Sequence, residues 1–457
     1  MANFIYYDLV FLVAFTLFVI VFLYKRKQKL QRQGLLYLYR TKVGLKFIEW
    51  TSKRFGKILN PMQYIVVASG YILMVSMVWF LIKFLQAYLS GPLAGQIKVP
   101  PLIPLIPYLP ELFKLDFLPP FYFTYWIIII AIVAITHEFA HGIFARLNNI
   151  KVHSTGFGFL GPFLAAFVEP DEKQMEKSKV FPQLSILAAG TFANVLMTIL
   201  FGLILWGFFA IAFVPAGVNF NSYSTSVVNV SEARIINGTL AIDGISLTKI
   251  QWQNKSYYAP SNVADAIDNQ LGLFTVLEDA PAINAGLRGA IVEIDGKKVR
   301  SYDELRSVIL ANKPGEVVII KSVSDKEIIE SVVKLADKDG KAYLGVGISE
   351  PERRGITGWL YSVFSNIKDP FVYYESRIGD IGTFLYDLLW WIVVINISVA
   401  LVNMLPVGIF DGGRFFYLTI LGLTGKAKWA KKAFSASTWV FLAILVLLMV
   451  RWFVVII

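Results

Sequence analysis

His137-Glu138-Phe139-Ala140-His141 sets two imidazoles four residues apart with a carboxylate beside the first. On an α-helix that spacing leaves the rings about 40° apart around the axis and about 6 Å apart along it, so both can meet one ion. Glu138 would then reach a bound water as a general base. The chain has three histidines, His137, His141 and His153, and no cysteine. Disulfides and thiolate sites are therefore excluded, and a transition metal must be held by His, Asp or Glu. A catalytic zinc takes three protein ligands and keeps a fourth position open, which leaves a carboxylate or His153 to be the third. The competing reading makes these residues polar helix-end groups satisfied by water and lipid headgroups. However, no charge occurs from Phe117 to Thr136, and ionisable groups beside such an apolar run are costly in lipid and usually mark function.

A second candidate stretch is Asn403-Met404-Leu405-Pro406-Val407-Gly408-Ile409-Phe410-Asp411-Gly412-Gly413, which ends a run without charge over residues 388 to 410. Pro406 and Gly408 would interrupt a helix there. Freed backbone groups are tolerated at membrane depth only when buried in protein or facing a wet cavity. Asp411 follows the break and is the carboxylate candidate; an Asp-Gly turn at a helix exit is the plainer account of it. His153, twelve residues past His141, reads as a solvated loop histidine.

These residues must be placed by membrane helices. The 457-residue chain is 56% hydrophobic and 16% charged, against roughly 25% charged in a soluble domain. That balance excludes a disordered chain, a disulfide scaffold and a cytosolic enzyme. Six stretches have the roughly 20 apolar residues that a bilayer requires, near 5–24, 59–86, 119–147, 183–215, 384–405 and 433–457. The first has Asp8 where a signal peptide has a basic start and reads as a retained anchor. Eleven Lys and Arg lie between spans one and two, whereas residues 88–118 carry only Lys98 and Lys114. The first loop is accordingly cytoplasmic, and alternation puts the N-terminus and residues 216–383 outside. Three Asn-x-Ser/Thr triplets, at Asn229, Asn237 and Asn254, fall in that outer segment. The net charge of +11 is thus an orientation signal and does not point to nucleic acid. Spans three and five both run from outside to inside, so His137, His141 and Asp411 converge toward the cytoplasmic side.

The chain resembles the site-2 protease family of intramembrane zinc metalloproteases in three places: His137-Glu138-Phe139-Ala140-His141-Gly142, Ala189-Gly190-Thr191-Phe192-Ala193-Asn194, and Asn403-x-x-Pro406 leading to Asp411-Gly412-Gly413. The resemblance covers about 119 to 425. It implies that His137, His141 and Asp411 hold Zn2+, that Glu138 is the catalytic base, and that Asn194 helps position substrate or its oxyanion. Asn403 is placed with the substrate on the same ground. An interhelix hydrogen bond is the other reading of Asn194. Thr191 stands where the family often has Pro, and Gly408 where Pro is frequent. The resemblance also implies that the apolar, Gly-rich segment 156–167 is a membrane-associated strand or re-entrant hairpin able to pair with an unwound substrate; an amphipathic surface loop is the alternative.

Between Glu278 and Gly347 the composition becomes that of a soluble domain. Ala280-Pro281-Ala282, Ala285-Gly286-Leu287, Ile291 to Val299, a helical stretch Ser301 to Ala311 and Tyr343-Leu344-Gly345-Val346-Gly347 resemble, in this order, a protease-associated PDZ domain, which implies peptide C-termini as partners. Ile235 to Leu247 echoes its strand and turn, as a partial second copy or an insertion.

The expected fold class is an α-helical polytopic membrane protein of about six transmembrane helices with an inserted mixed α+β PDZ-like domain. The expected divisions are two helices and a basic loop (1–118), the first half of a catalytic core (119–215), the extracytoplasmic domain with its insertion (216–350), the second half of the core (351–432) and a last span (433–457). The expected function is hydrolysis of peptide bonds in or near transmembrane segments of membrane-protein substrates, in regulated release of a tethered factor. Three other readings are weaker. A protease trimming lipidated C-termini would need a Glu-x-x-x-Asp arrangement that the sequence does not show. A catalytically silent receptor or adaptor binding exported peptides would not need Glu138. A transporter would show an inverted repeat.

Overall fold

The computed structural model describes residues 4–33, 36–90, 104–113, 115, 118–160, 163–229, 232–242, 245–260, 272–324, 327–348, 362, 365 and 368–456. Gly161 and Pro162 of the expected hairpin, Asp243 and Gly244 of the echoed turn, and Phe117, Lys98 and Lys114 lie outside them. The chain separates into two compact units, residues 1–207 with 383–457, and residues 208–382.

Among the described residues six helices are long and apolar enough to cross a membrane: Phe4–Lys25, Gly56–Ala87, Phe123–Leu147, Val180–Ala212, Asp380–Asn403 and Ala427–Trp452. In the first unit α1 is Phe4–Lys25, α2 Leu45–Arg54, α3 Gly56–Ser90, α4 Leu109–Leu112, α5 Phe123–Leu147, α6 Glu172–Lys177 and α7 Val180–Ala212. α5 packs along the fifth span through Tyr125, Ile129, Leu388, Trp391 and Ile392. Polar ends of the aromatics lock this contact: Tyr125 Oη donates to the Phe384 carbonyl at 3.0 Å, and Trp391 Nε1 to the Pro120 carbonyl at 3.0 Å. Apolar burial does little between helices in lipid, so close packing and such hydrogen bonds must carry the association.

Asp8, only 1% exposed on α1, has a positional role. Its Oδ2 accepts from Phe123 N at 2.7 Å and Tyr108 Oη at 2.5 Å, while Oδ1 accepts from Thr124 N at 2.9 Å. A carboxylate from one helix thus caps the free N–H groups at the start of α5, where the helix dipole also favours negative charge. Asp8→Ala is expected to destabilise the helical unit by about 1.5–3 kcal/mol, the usual range for hydrogen bonds to a charged group. The check is the denaturation midpoint in detergent; an unchanged midpoint would contradict this role for Asp8.

A four-stranded antiparallel sheet lies beside α5: β1 (Leu30–Gln33), β2 (Leu36–Thr41), β3 (Val152–Leu160) and β4 (Phe163–Pro170), in that order. The segment expected to be a hairpin is therefore β3 and β4, paired from Leu160↔Phe163 outward. β1 and β2 come from the basic loop and extend it. β4 is an edge strand among the described residues.

The fifth span ends at Asn403 and the next helix begins at Asp411, so the chain breaks over Met404 to Phe410. A Cβ on Gly412 would stand 2.4 Å from the Met404 carbonyl carbon, and one on Gly413 would stand 2.4 Å from the Val407 carbonyl oxygen. Only glycine lets the Asp411–Thr424 helix start directly against this break, which fixes where Asp411 points. Gly408 uses its N–H to donate to Thr438 Oγ1 at 3.2 Å, a bond that proline could not make.

The second unit holds β5 (Phe213–Asn219), β6 (Ser222–Tyr223), β7 (Thr225–Asn229), β8 (Arg234–Ile242), β9 (Ile245–Trp252), β10 (Lys255–Pro260), β11 (Leu273–Glu278), β12 (Ala290–Ile294), β13 (Lys297–Lys298), β14 (Val317–Ser324), β15 (Glu327–Lys334), β16 (Ala336–Lys338), β17 (Lys341–Tyr343), β18 (Val346–Gly347) and β19 (Val372–Ser376). One sheet runs β15-β14-β12-β5-β19, and a separate five-stranded sheet runs β7-β11-β10-β9-β8. The first packs Leu305 and Ile309 of the helix Tyr302–Ala311 over Val218, Ile291, Ile294, Val318 and Ile320; the second has its own core of Val228, Ile250, Tyr257 and Val276. The echo at Ile235 to Leu247 is thus part of an all-antiparallel sheet set between β6 and β12. The compact unit runs from Phe208 to Gly382. Residues 213–219 and 372–376 belong to this unit, because their backbone groups pair with each other. Phe213-Val214-Pro215 is apolar enough to read as a continuation of the fourth span, which instead stops at Ala212.

Glu278, on β11 of the five-stranded sheet, ties that sheet to the separate β16–β17 pair. It accepts from Tyr343 Oη at 2.5 Å, Ser226 Oγ at 2.7 Å and Lys338 Nζ at 3.0 Å. Burial alone would raise its pKa, but these hydrogen bonds and the Lys338 charge hold it below the usual carboxylate range. With a folded pKa below the unfolded value of about 4.3, the stabilisation is present above that value and is lost as pH falls through the folded one. Glu278→Gln is expected to flatten the acid limb of thermal stability below about pH 4; parallel acid limbs in variant and wild type would contradict it.

Candidate metal centre

His137 and His141 lie on α5, and the broken segment delivers Asp411. Their facing atoms form a small triangle: His137 Nε2 to His141 Nε2 3.0 Å, His137 Nε2 to Asp411 Oδ2 3.2 Å, and His141 Nε2 to Asp411 Oδ2 3.3 Å. His141 Nδ1 is 2.7 Å from the Ile186 carbonyl. A carbonyl only accepts, so Nδ1 of His141 carries a proton, and in the neutral imidazole that a metal requires Nε2 presents a lone pair. Asp411 Oδ2 is likewise an acceptor. Two neutral imidazoles and a carboxylate arranged in this way can share one cation. Ligands about 2.0–2.1 Å from a tetrahedral zinc stand about 3.3 Å apart, the spacing found here. Among the described residues these three alone form a group of metal-ligating side chains, their ligand atoms within 4.8 Å of one another. A Cβ on Gly190 of α7 would stand 2.4 Å from His141 Nε2 and 2.7 Å from His137 Nε2. Glycine keeps that space clear, so the residues present fit the metal.

Glu138 opens onto the same cavity, about 810 Å³, whose wall includes His137, His141, Asn403, Asp411 and Arg414. Val168 N donates to Glu138 Oε2 at 2.9 Å. The edge strand therefore fixes one carboxylate oxygen and leaves the other for a second partner. On the same sheet Arg40 grips Glu169 with both Nε (3.0 Å) and Nη2 (3.1 Å), and Ser154 Oγ donates to it at 2.6 Å. Arg40's hydrogen bonds, helped by Ser154, hold the Glu169 carboxyl below the usual range. This clamp runs across β2, β3 and β4 and braces the strand that holds Glu138.

His153 stands apart from the triad, its Nε2 3.1 Å from Asp171 Oδ2. Asn194, expected at the substrate, is fully buried; it is absent from the cavity wall, and its amide faces His137 Nδ1 at 3.1 Å. That is the interhelix hydrogen bond, with a candidate ligand as partner. Thr191 Oγ1 donates to the Ala188 carbonyl at 3.0 Å, and α7 passes through uninterrupted. Val168, Arg40 and Arg414 were missed as cavity-facing groups in the sequence. Arg414 had a signal, since it lies one helical turn past Asp411; Val168 had none, because strand register decides where its N–H points.

A family model described as Peptidase family M50 matches residues 125–448. An uncharacterized protein of Methanocaldococcus jannaschii is 25% identical over 415 residues, covering 88% of this chain and 83% of that protein. The regulator of sigma-W protease RasP of Bacillus subtilis is 25% identical over 213 residues, 40% of this chain and 50% of its own length. Zinc metalloprotease RasP of Shouchella clausii is 23% identical over 202 residues, 38% and 48%. The chain thus spans about half the length of these two proteases.

Proposed function

The chain belongs to peptidase family M50, the site-2 protease family of membrane metalloproteases, and on that premise we propose that it is a zinc-dependent endopeptidase cutting in or near transmembrane segments of other membrane proteins, in regulated intramembrane proteolysis. The observation that carries the proposal is the convergence of His137 Nε2, His141 Nε2 and Asp411 Oδ2 within 3.3 Å beside a carboxylate. His137, His141 and Asp411 would hold the metal. When bound, zinc lowers the pKa of a coordinated water to about 7 and polarises the scissile carbonyl. Glu138, held by Val168 through one oxygen, takes the proton of the attacking water on the other and passes it to the leaving amide nitrogen. Asn403 and Arg414, on the cavity wall, are placed to meet the substrate backbone.

A helical substrate hides its carbonyls in its own hydrogen bonds, so it must unwind first. The free edge of β4 suits an extended segment. Val168 N already points away from β3, and alternation along an antiparallel strand turns the Ala166 and Leu164 amides to the same edge. In the second unit a groove of about 190 Å³ between the Tyr302–Ala311 helix and residues 342–346, lined by Leu305, Ile309, Leu344 and Val346, suits a peptide C-terminus in the PDZ manner, on the extracytoplasmic side that the loop charges favour. The test is hydrolysis of a model transmembrane peptide by the purified protein in detergent. Cleavage abolished by a zinc chelator and restored by zinc supports the proposal; metal-independent cleavage, or none in the zinc-loaded protein, would sink it.

A further inference from the structure

Asn194 lies one helical turn past Gly190 on α7, and both face the histidine pair. The Asn194 side chain is completely buried. Its Nδ2 is 3.1 Å from His137 Nδ1, while its Oδ1 is buried with no hydrogen-bond partner among the described residues. A buried amide oxygen left unpaired costs about 1–3 kcal/mol, which calls for an explanation. Oxygen and nitrogen of an amide are interchangeable by a half-turn that leaves every heavy atom in place. With the amide turned, Oδ1 sits 3.1 Å from His137 Nδ1 and accepts its proton, while Nδ2 takes the position the oxygen held.

That turn also settles which nitrogen of His137 carries the proton. With Nδ1–H donated to Asn194, Nε2 keeps its lone pair and points at the triangle with His141 and Asp411. His141 does the same by giving its Nδ1 proton to the Ile186 carbonyl. Both imidazoles would then be locked by partners on α7 in the tautomer that a cation requires, while Gly190 keeps the intervening space clear. We propose that Asn194 is a positioning residue for the metal centre, its Oδ1 accepting from His137 Nδ1 and holding that ring in its metal-binding tautomer. The inference rests on the zinc reading of the triad and assigns Asn194 no contact with substrate.

Partners of this kind behind a histidine ligand are worth about 10–100-fold in metal affinity. Zinc affinity, measured by chelator competition on the full-length protein in detergent, separates the alternatives without any assay of cleavage. Asn194→Ala and the volume-restoring Asn194→Leu are both expected to weaken zinc binding by about 10–100-fold. Asn194→Asp, which supplies an acceptor and no donor, is expected to hold zinc as tightly as wild type or more so. Wild-type affinity in Asn194→Leu would overturn the proposal, and so would equal loss in all three variants, which would mark Asn194 as a packing residue. A wild-type protein that binds no zinc would remove the metal centre itself, a different failure.

Discussion

Glu138→Gln is expected to lower cleavage of a transmembrane peptide by about 10²–10⁴-fold, the range for loss of a general base, with zinc content unchanged. Glutamine keeps a side-chain oxygen for the Val168 N–H, the contact that fixes the wild-type carboxylate among the described residues, so the cavity wall stays in place while the proton acceptor is lost. His137, His141 and Asp411 are untouched, so metal binding provides the internal control. Equal turnover in variant and wild type would remove Glu138 from the chemistry and return the chain to a receptor or adaptor role.

Asp411→Asn is the complementary case, with both metal and activity expected to fall. It removes the single anionic ligand of the triangle, leaving two neutral imidazoles 3.0 Å apart and a neutral amide. The loss in zinc affinity should exceed the about 10–100-fold that accompanies loss of a group behind a ligand. The Met404–Phe410 break and the close approach of Gly412 and Gly413 remain, so the backbone should still deliver residue 411 to the same place. Zinc retained at wild-type affinity would show that another group completes the site.

What the sequence disclosed and what it hid divide along physical lines. The His137, Glu138 and His141 pattern is local: helix geometry alone puts both rings on one side. Asp411 is 274 residues from His137, and what marked it in the sequence was its place directly after a helix break that only a wet or buried setting tolerates. Pairings that depend on register were not legible. β1 and β2 lie in a loop whose Lys and Arg content reads as an orientation signal, and the alternating Leu36-Tyr37-Leu38-Tyr39-Arg40 strand within it was masked. β19 pairs with β5 across some 150 residues of chain, with nothing local in Val372 to Ser376 to announce it. Asn194 was singled out with two readings, substrate positioning or an interhelix hydrogen bond, and the sequence alone does not say that its amide faces His137.

Zinc K-edge X-ray absorption on the purified, metal-replete protein addresses the central claim most directly. The expected spectrum has two imidazole nitrogens and carboxylate oxygen at about 2.0–2.2 Å, with no sulfur, and the imidazole signal is lost in a His137→Ala, His141→Ala double variant. A protein that takes up no zinc, or one whose zinc keeps its imidazole signal in that double variant, would contradict the account.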